Sequence, residues 1–186
     1  MTLETRFSHF SDYLFINLLN TVNSKNKTKA DLLDEEGMMD EWLSLMKEKE
    51  LLSEQQVNKI KEKPVDRTEM KQFRDTWRSY FTSSQYDEDG LQSLIDLTKK
   101  TPLSFEMNAE TLMPIPDKGG TAGLQSLLAF TMLNAYQDGV FEKVKGCSNE
   151  TCLALFVDPK GKRKWCSMKV CGNRAKAQKH YEKSKQ

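Results

Sequence analysis

The sequence predicts a mainly α-helical protein: a helical N-terminal domain with one small β-hairpin, residues 1–142, then a small C-terminal module, residues 143–186. Over most of the first domain, apolar side chains recur at three- and four-residue steps, the period of helices with one buried face. Charge changes sign at the boundary: residues 143–186 hold 12 Lys and Arg against 3 Asp and Glu (+9), and residues 1–142 hold 16 against 24 (−8). All four cysteines lie in the C-terminal module, at Cys147, Cys152, Cys166 and Cys171.

Apolar periodicity predicts the first two helices. The apolar face of the first helix comprises Leu14, Phe15, Leu18, Leu19 and Val22. The polar residues 23–29 that follow are expected to form a loop. A second helix begins after Asp34 and turns five side chains inward: Met38, Met39, Trp42, Leu45 and Met46.

Capping residues predict the next two helices, and periodicity predicts a fifth. Ser53 followed by Gln56 has the form of a capping box, which opens a short helix that Pro64 closes. Asp66 is placed to cap a fourth helix, whose apolar positions are Met70, Phe73, Trp77 and Tyr80. The apolar face of the fifth helix is marked by Leu91, Leu94, Ile95 and Thr98.

The one predicted β-hairpin is marked by strict alternation of apolar and polar residues. The alternating positions are Leu103, Phe105, Met107, Leu112 and Pro114. Pro114 and Pro116 are expected to end the hairpin, because proline has no N–H to donate to a strand ladder. A long helix is then expected after Gly119 and Gly120, running to Val144 and leading directly into the first cysteine.

The cysteine spacing, C-x4-C-x13-C-x4-C, predicts a structural zinc site. Two short-spaced pairs joined by a connector bring four sulfurs to one tetrahedral metal, and soft thiolates suit zinc. The N-terminus lacks a secretory signal and no apolar run reaches about 18 residues, so a reducing cytoplasm and no membrane association are expected. Two alternatives stay open: a disulfide pair, or unconnected buried thiols.

The zinc would staple a module too small to bury a large core, a treble-clef-like four-cysteine finger made of a short hairpin and a helix. Phe156 and Trp165 are expected to form its core, although Trp165 could instead stack on a nucleic-acid base. Residues 155–158 and 163–166 could pair as the hairpin. One face of the helix after Cys171 is expected to pack on the zinc core and buttress the finger: Val170, Arg174, Ala177 and Tyr181, with Asn173 beside them.

Two groups of basic residues predict contact with a polyanion. The first is a stripe on the C-terminal helix, made of Lys169, Lys176, Lys179 and Lys183. The second lies in the preceding loop, at Lys160, Lys162, Arg163 and Lys164. Together with the +9 charge of the module, these residues indicate binding to nucleic-acid phosphates. A solvated lysine face, or simple neutralisation of the acidic half, is the alternative.

Cys171-Gly172-Asn173-Arg174, five residues after Cys166, resembles the CGNR zinc finger, which is named for those four residues. The other two cysteines, Phe156, Asp158 and Trp165 match its upstream half. The family's usual N-terminal partner is a helical domain called ABATE, in proteins described as stress-induced transcription regulators. Residues 14–21 are similar to the opening of that domain. The resemblance implies a zinc-dependent DNA-binding module attached to a domain that senses a small-molecule effector or forms a homodimer.

Asn20 and Thr21 form the N-T pair of the ABATE-like motif D-x-x-N-T, in which Asn17 stands where Asp is usual. Asparagine lowers helix stability, so Asn20 could hydrogen-bond a ligand or a loop. The alternative is a structural role in which Asn20 bridges to a neighbouring backbone. Asn17 in place of a carboxylate lowers the prospect of acid–base chemistry at this position.

The sequence contains no recognisable catalytic constellation. There is no phosphate-binding glycine loop, no nucleophile elbow and no zinc-protease motif, and four cysteine ligands leave a zinc ion no open position for water. A non-enzymatic, zinc-dependent DNA-binding transcription regulator is therefore predicted. The alternatives are a protein–protein adapter whose finger is a docking surface, and a thiol redox sensor.

Overall fold

The computed structural model of the protein describes residues 6, 9–25, 28–83, 88–108 and 111–184. Within these ranges, the side chains of residues 23–25, 28–29, 108, 178–180 and 182–183 are not described. The described chain is mostly helical with small antiparallel hairpins, which confirms the predicted fold class. None of its described helices is long and apolar enough to cross a membrane.

The helices of the described chain are α1 (Leu14–Leu19), α2 (Met38–Glu48), α3 (Glu54–Lys61), α4 (Arg67–Thr82), α5 (Glu88–Lys100), α6 (Gly120–Gln137) and α7 (Asn173–Lys183). The strands pair as three antiparallel hairpins: β1 (Val22–Lys25) with β2 (Thr28–Asp31), β3 (Leu103–Asn108) with β4 (Thr111–Pro116), and β5 (Val144–Gly146) with β6 (Leu155–Val157). A π-helical turn, Met168–Gly172, leads directly into α7.

The first hairpin replaces a predicted loop. Helix α1 ends at Leu19, and Val22, expected on its apolar face, instead begins β1 opposite Asp31. The prediction of a loop over residues 23–29 was therefore wrong for the described part of that stretch. The segment is polar throughout, so it lacks the apolar alternation that would have indicated a strand.

The capping residues behave as predicted. The Ser53 side chain accepts from the Gln56 backbone N–H at 3.1 Å, and the Gln56 side chain accepts in return from the Ser53 N–H at 2.8 Å. Asp66 accepts from the backbone N–H of Glu69 at 2.9 Å. The inward-facing residues predicted for α2 are all buried: Met38, Met39, Trp42, Leu45 and Met46.

The β3–β4 hairpin is confirmed, but it extends further than predicted. Pro114 lies inside β4, opposite Phe105, and the strand continues to Pro116. In an antiparallel pair, alternate residues direct their N–H and C=O away from the partner strand. Two prolines at i and i+2 fit that outward side without removing a ladder bond. The outer side of β4 is covered in part by α3, because the Gln56 amide donates to the Pro114 carbonyl at 2.8 Å.

Helix α6 does not run into the first cysteine as predicted. It ends at Gln137, and Gly139 takes a left-handed conformation with φ of +65°. The Gly139 N–H donates to the Tyr136 carbonyl, and the Val140 N–H donates to the Ala135 carbonyl, which is the Schellman pattern of helix termination. A short 3-10 turn, Phe141–Lys143, then leads into β5.

Strand β6 separates two hydrophobic cores. The main core is built from the N-terminal helices and also includes Leu155 and Val157. The alternate residues, Ala154 and Phe156, belong to a second, smaller core with Cys166 and Cys171. Because successive side chains of a strand point to opposite faces, this one strand joins the C-terminal module to the helical domain.

Candidate metal centre

The four cysteine sulfurs form one cluster. They lie within 4.8 Å of one another, and the Cys166 Sγ is 3.7 Å from both the Cys152 Sγ and the Cys171 Sγ. Four sulfurs bound tetrahedrally at about 2.3 Å from zinc would be about 3.8 Å apart. Cys166 and Cys171 are buried, whereas Cys147 and Cys152 are half-buried. The donor set and the spacing fit one structural zinc ion.

Two short structural elements bring the cysteines together. Cys147 and Cys152 lie in the turn of the β5–β6 hairpin, where the Cys147 N–H donates to the Ala154 carbonyl at 3.0 Å. Cys171 lies in the π-helical turn, and its N–H donates to the Ser167 carbonyl at 3.0 Å. The Cys166 N–H points to the Cys147 sulfur at 3.4 Å, which links the two halves.

The predicted hairpin of the module paired residues 155–158 with the wrong strand. Residues 155–157 pair with residues 144–146 around the first two cysteines, and not with residues 163–166. Strand β5 supplies Val144 to the main core, so the observed pairing buries apolar surface that the predicted pairing would have exposed. Residues 163–166 are held instead by a backbone bond from the Ser148 N–H to the Lys164 carbonyl and by side chains, among them Asp158 and Arg163.

Without a cation, the thiols of Cys166 and Cys171 resist ionisation. Burial raises the pKa of Cys171 to about 12, assisted by its hydrogen bond with Cys152. A hydrogen bond with Cys152, together with burial and the neighbouring sulfurs, also raises the pKa of Cys166. A zinc ion at the centre would offset the repulsion between the thiolates, since a coordinated thiol is deprotonated by the metal charge.

The module belongs to a known type. Residues 143–184 match the family model of the CGNR zinc finger. The match contains all four clustered cysteines, so this part of the chain is a zinc finger that takes one structural zinc ion. A comparison of the chain with characterised proteins found no match. Below, residues 143–184 are called the finger and residues 9–142 the helical body.

Phe156 and Trp165 form the small core of the finger, as predicted. Phe156 is fully buried, and Trp165 is half-buried and packs beside it. The guanidinium of Arg163 lies 4.6 Å from the centre of the Phe156 ring and donates to the carbonyls of Val157 and Cys166. Arg163, predicted to contact nucleic acid, therefore already makes internal contacts that order the loop.

Asp158 organises the same loop. Its buried carboxylate accepts from the Arg163 backbone N–H at 2.9 Å and from the Lys145 ammonium at 3.1 Å. Burial alone would raise the pKa of Asp158, but these two donors and the charge of Lys145 lower it below its ordinary value. The loop between the second and third cysteines is thus fixed by an ionised carboxylate.

The predicted packing of the C-terminal helix was wrong. Val170 is 39% exposed and Tyr181 is 60% exposed, and Ala177 is exposed as well. Asn173 and Arg174, expected to buttress the finger, also lie on the surface, where the Arg174 guanidinium is 3.5 Å from the Thr151 hydroxyl. Where the side chains of this region are described, burial ends at Cys171 and Gly172, so that part of α7 does not pack on the zinc core.

The lysines predicted to contact nucleic acid are solvent-exposed wherever their side chains are described. In the described part of the finger, five exposed lysines have no carboxylate within 4.0 Å: Lys160, Lys162, Lys164, Lys169 and Lys176. The side chains of Lys179 and Lys183 lie outside the described residues. Five cationic groups are therefore available to an anionic partner.

Asn20 attaches the helical body to the finger. Its side-chain amide accepts from the Leu155 N–H and donates to the Leu155 carbonyl, both at 2.9 Å, and Asn20 is 2% exposed. Thr21 is also buried, and its hydroxyl donates to the Leu18 carbonyl at 2.7 Å. This geometry favours the structural interpretation of the pair over a ligand-binding one.

The sequence reasoning missed Arg78. One nitrogen of its guanidinium donates to the Leu19 carbonyl and another to the Leu153 carbonyl, each at 2.6 Å. Its position one helical turn after Arg74, on the buried side of α4, was the available signal. Burial and the charge of Arg74 lower the pKa of Arg78, and the Asp75 carboxylate and the Cys152 sulfur oppose this shift. Asn20 and Arg78, with residues 153–155 of the finger, are called the seam below.

Asn17 uses its amide in the same way as Asn20. Its carbonyl oxygen accepts from the Ser11 N–H at 2.8 Å, and its nitrogen donates to the Ser11 carbonyl at 2.7 Å. Asn17 is fully buried. An aspartate could accept the first bond but not donate the second, so the amide suits this position better than a carboxylate.

Proposed function

We propose that the protein is a zinc-dependent DNA-binding transcription regulator. The single observation that carries the proposal is the basic finger: residues 143–186 have a net charge of +9, and five lysines of the finger are exposed without a carboxylate partner among the described residues. Zinc would hold the loop of Lys160, Lys162 and Lys164 and the turn of Lys169 in fixed positions, so that their ammonium groups neutralise phosphates.

The helical body would supply regulation. Its net charge of −8 would repel a phosphate backbone, which confines the contact with DNA to the finger. The proposed roles of the body are a response to stress through a small-molecule effector, and a homodimer contact. A dimer would present two fingers to one DNA molecule at a high effective concentration, which strengthens binding by weak modules. The proposal assigns the protein to the cytoplasm and assigns it no catalytic role.

A protein–protein adapter is the second candidate. The exposed apolar residues of the C-terminal segment favour it: Met168 is 55% exposed, Val170 39% and Tyr181 60%. Apolar side chains on a basic helix would suit an acidic protein partner with an apolar groove. A DNA-binding finger needs only the lysines, whereas the adapter would need these three side chains as well.

The deciding experiment measures DNA binding by the zinc-loaded full chain at about 50 and 200 mM salt, with a chelated sample alongside. A triple variant, Lys160→Ala, Lys162→Ala and Lys164→Ala, is compared with a matched control in the body, Lys63→Ala, Lys99→Ala and Lys100→Ala. Each lost phosphate contact should reduce the salt slope by about 0.9, so the finger variant should lose about 2 to 3 and the control nothing.

The outcomes separate the two candidates. Salt-sensitive binding that disappears on chelation and weakens in the finger variant supports the DNA-binding proposal. Absence of binding with zinc in place would overturn it and favour the adapter. In that case, replacing Met168, Val170 and Tyr181 by serine should abolish binding to an acidic protein partner.

A further inference from the structure

Arg78 holds a positive charge at the seam, beside the metal centre. Its guanidinium is half-buried and bridges two backbone carbonyls, that of Leu19 at the end of α1 and that of Leu153. Leu153 directly follows the zinc ligand Cys152, and the Asp75 carboxylate and the Cys152 sulfur both favour the charge of Arg78. Among the described residues, the hydrogen-bond partners of this charge are these two neutral carbonyls.

The neighbouring carboxylates form their hydrogen bonds with Arg74 and not with Arg78. Among the described residues, Arg78 has no carboxylate within 4.0 Å. Asp75 instead accepts from the Nε of Arg74 at 2.8 Å, and Asp31 accepts from the two terminal nitrogens of Arg74. Asp75 therefore favours the Arg78 charge only from beyond contact distance, and a further counter-charge would stabilise this half-buried cation, since desolvation disfavours a poorly paired charge.

The metal centre would provide that counter-charge. Four thiolates around one Zn²⁺ carry a net charge of −2, and this charge lies partly in the interior of the protein, since Cys166 and Cys171 are buried. Leu153 links the two charges, because its carbonyl accepts from Arg78 and its nitrogen is bonded to Cys152. Each therefore lowers the cost of burying the other.

We propose that Arg78 is a positioning residue of the zinc centre: it balances the charge of the four-thiolate site and fixes the Cys152–Leu153 segment against α1. It acts through Cys152 and does not touch the metal. Groups of this kind commonly alter metal affinity by 10- to 100-fold. The inference concerns zinc binding alone and holds whether or not the finger binds DNA.

The test measures the zinc affinity of the full chain by competition with a chromogenic chelator. The Arg78→Met variant keeps much of the side-chain volume and removes the charge, and it should bind zinc about 10-fold or more weakly than wild type. Arg78→Lys keeps the charge but cannot span both carbonyls, so it should stay within about 3-fold of wild type. Asn20→Ala is the matched control, because it breaks the seam without changing charge.

Zinc affinity and the thermal midpoint together distinguish the effect of the Arg78 charge from the effect of loosening the contact between finger and body. Arg78→Met should weaken zinc binding more than Asn20→Ala does, although both lower the thermal midpoint. Equal zinc affinity in Arg78→Met and wild type would overturn the proposal, and so would an Asn20→Ala defect as large as that of Arg78→Met. If Arg78→Met does not fold, the comparison of Arg78→Lys with Asn20→Ala decides. Both weaken the seam, and only the lysine variant should retain wild-type zinc affinity.

Discussion

The side-chain amide of Asn20 and the backbone of Leu155, which are 135 residues apart, pair through two hydrogen bonds of 2.9 Å. The amide presents one donor and one acceptor in the arrangement that a neighbouring strand would offer. Through this pair, α1 of the helical body acts as a partner for β6 of the finger. The finger is therefore part of the folded structure of the body, and not a module on a free linker.

Replacing Asn20 by alanine should destabilise the protein by about 2–4 kcal/mol. The loss leaves a buried N–H and a buried carbonyl of Leu155 without partners, each at a cost of about 1–3 kcal/mol. Urea unfolding of the zinc-loaded protein measures the change. The exposed Asn134, changed to alanine, is the matched control and should alter the free energy of unfolding by less than about 0.5 kcal/mol. A similar change in the free energy of unfolding for the two variants would show that the Asn20–Leu155 hydrogen bonds do not stabilise the protein.

Zinc should stabilise the protein in a concentration-dependent way. A ligand that binds only the folded state adds about 4 kcal/mol at a free concentration 1,000 times its dissociation constant. The thermal midpoint should therefore rise with zinc and fall on chelation, and elemental analysis should find one zinc per chain. Cys171→Ser should remove most of this response, because three thiolates leave the site incomplete. A midpoint that does not depend on zinc would contradict a structural site.

The ion pair of Asp31 and Arg74 should make stability depend on acid pH. Arg74 is 1% exposed, and its terminal nitrogens lie 2.6 and 2.8 Å from the Asp31 carboxylate. Burial alone would raise the pKa of Asp31, but Arg74, the Leu33 N–H and Lys71 lower it below its ordinary value. The stabilisation of the fold by this ion pair is therefore complete above about pH 4, the ordinary pKa of aspartate. It is lost as the pH falls through the lower pKa that Asp31 has in the folded state.

Removing one partner of this pair tests it directly. Asp31→Ala should cost about 1–3 kcal/mol at neutral pH, because it leaves the two terminal nitrogens of the buried Arg74 without their carboxylate, while Asp75 still accepts from the Nε. The double variant with Arg74→Met should be more stable than the sum of the single changes predicts, and its stability should fall less between pH 5 and pH 3. Urea unfolding across this pH range measures both effects. Simple additivity of the two changes would show that the pair is not coupled.

Gly139 should be required for the end of α6. Its φ is +65°, and an added Cβ would meet only the Glu142 carboxylate at 3.8 Å, so the cost of Gly139→Ala comes from the backbone alone. A left-handed conformation costs a non-glycine residue about 1–2 kcal/mol. Gly146→Ala is the control, since a Cβ added there would meet no described atom within 4 Å and the φ of Gly146 is not left-handed. Equal thermal midpoints for the two variants would contradict this assignment.

The sequence by itself determined the features that depend on local pattern. The spacing of Cys147, Cys152, Cys166 and Cys171 indicated the zinc ligands, since short-range spacing decides which sulfurs can reach one metal. Helical periodicity placed the buried faces of α2 and α4, and Ser53 with Gln56 marked the start of α3. These signals lie within a few residues of the structure they specify, so a single sequence contains them.

Only the tertiary structure decided how the finger and the body meet. Strand β6 pairs with β5 and lies against α1, and the polar side chains of Asn20 and Arg78 reach backbone groups far along the chain. A side-chain amide or guanidinium has the same appearance in the sequence whether its partner is water, a ligand or a distant carbonyl. Its role is fixed by long-range packing, which local pattern does not encode.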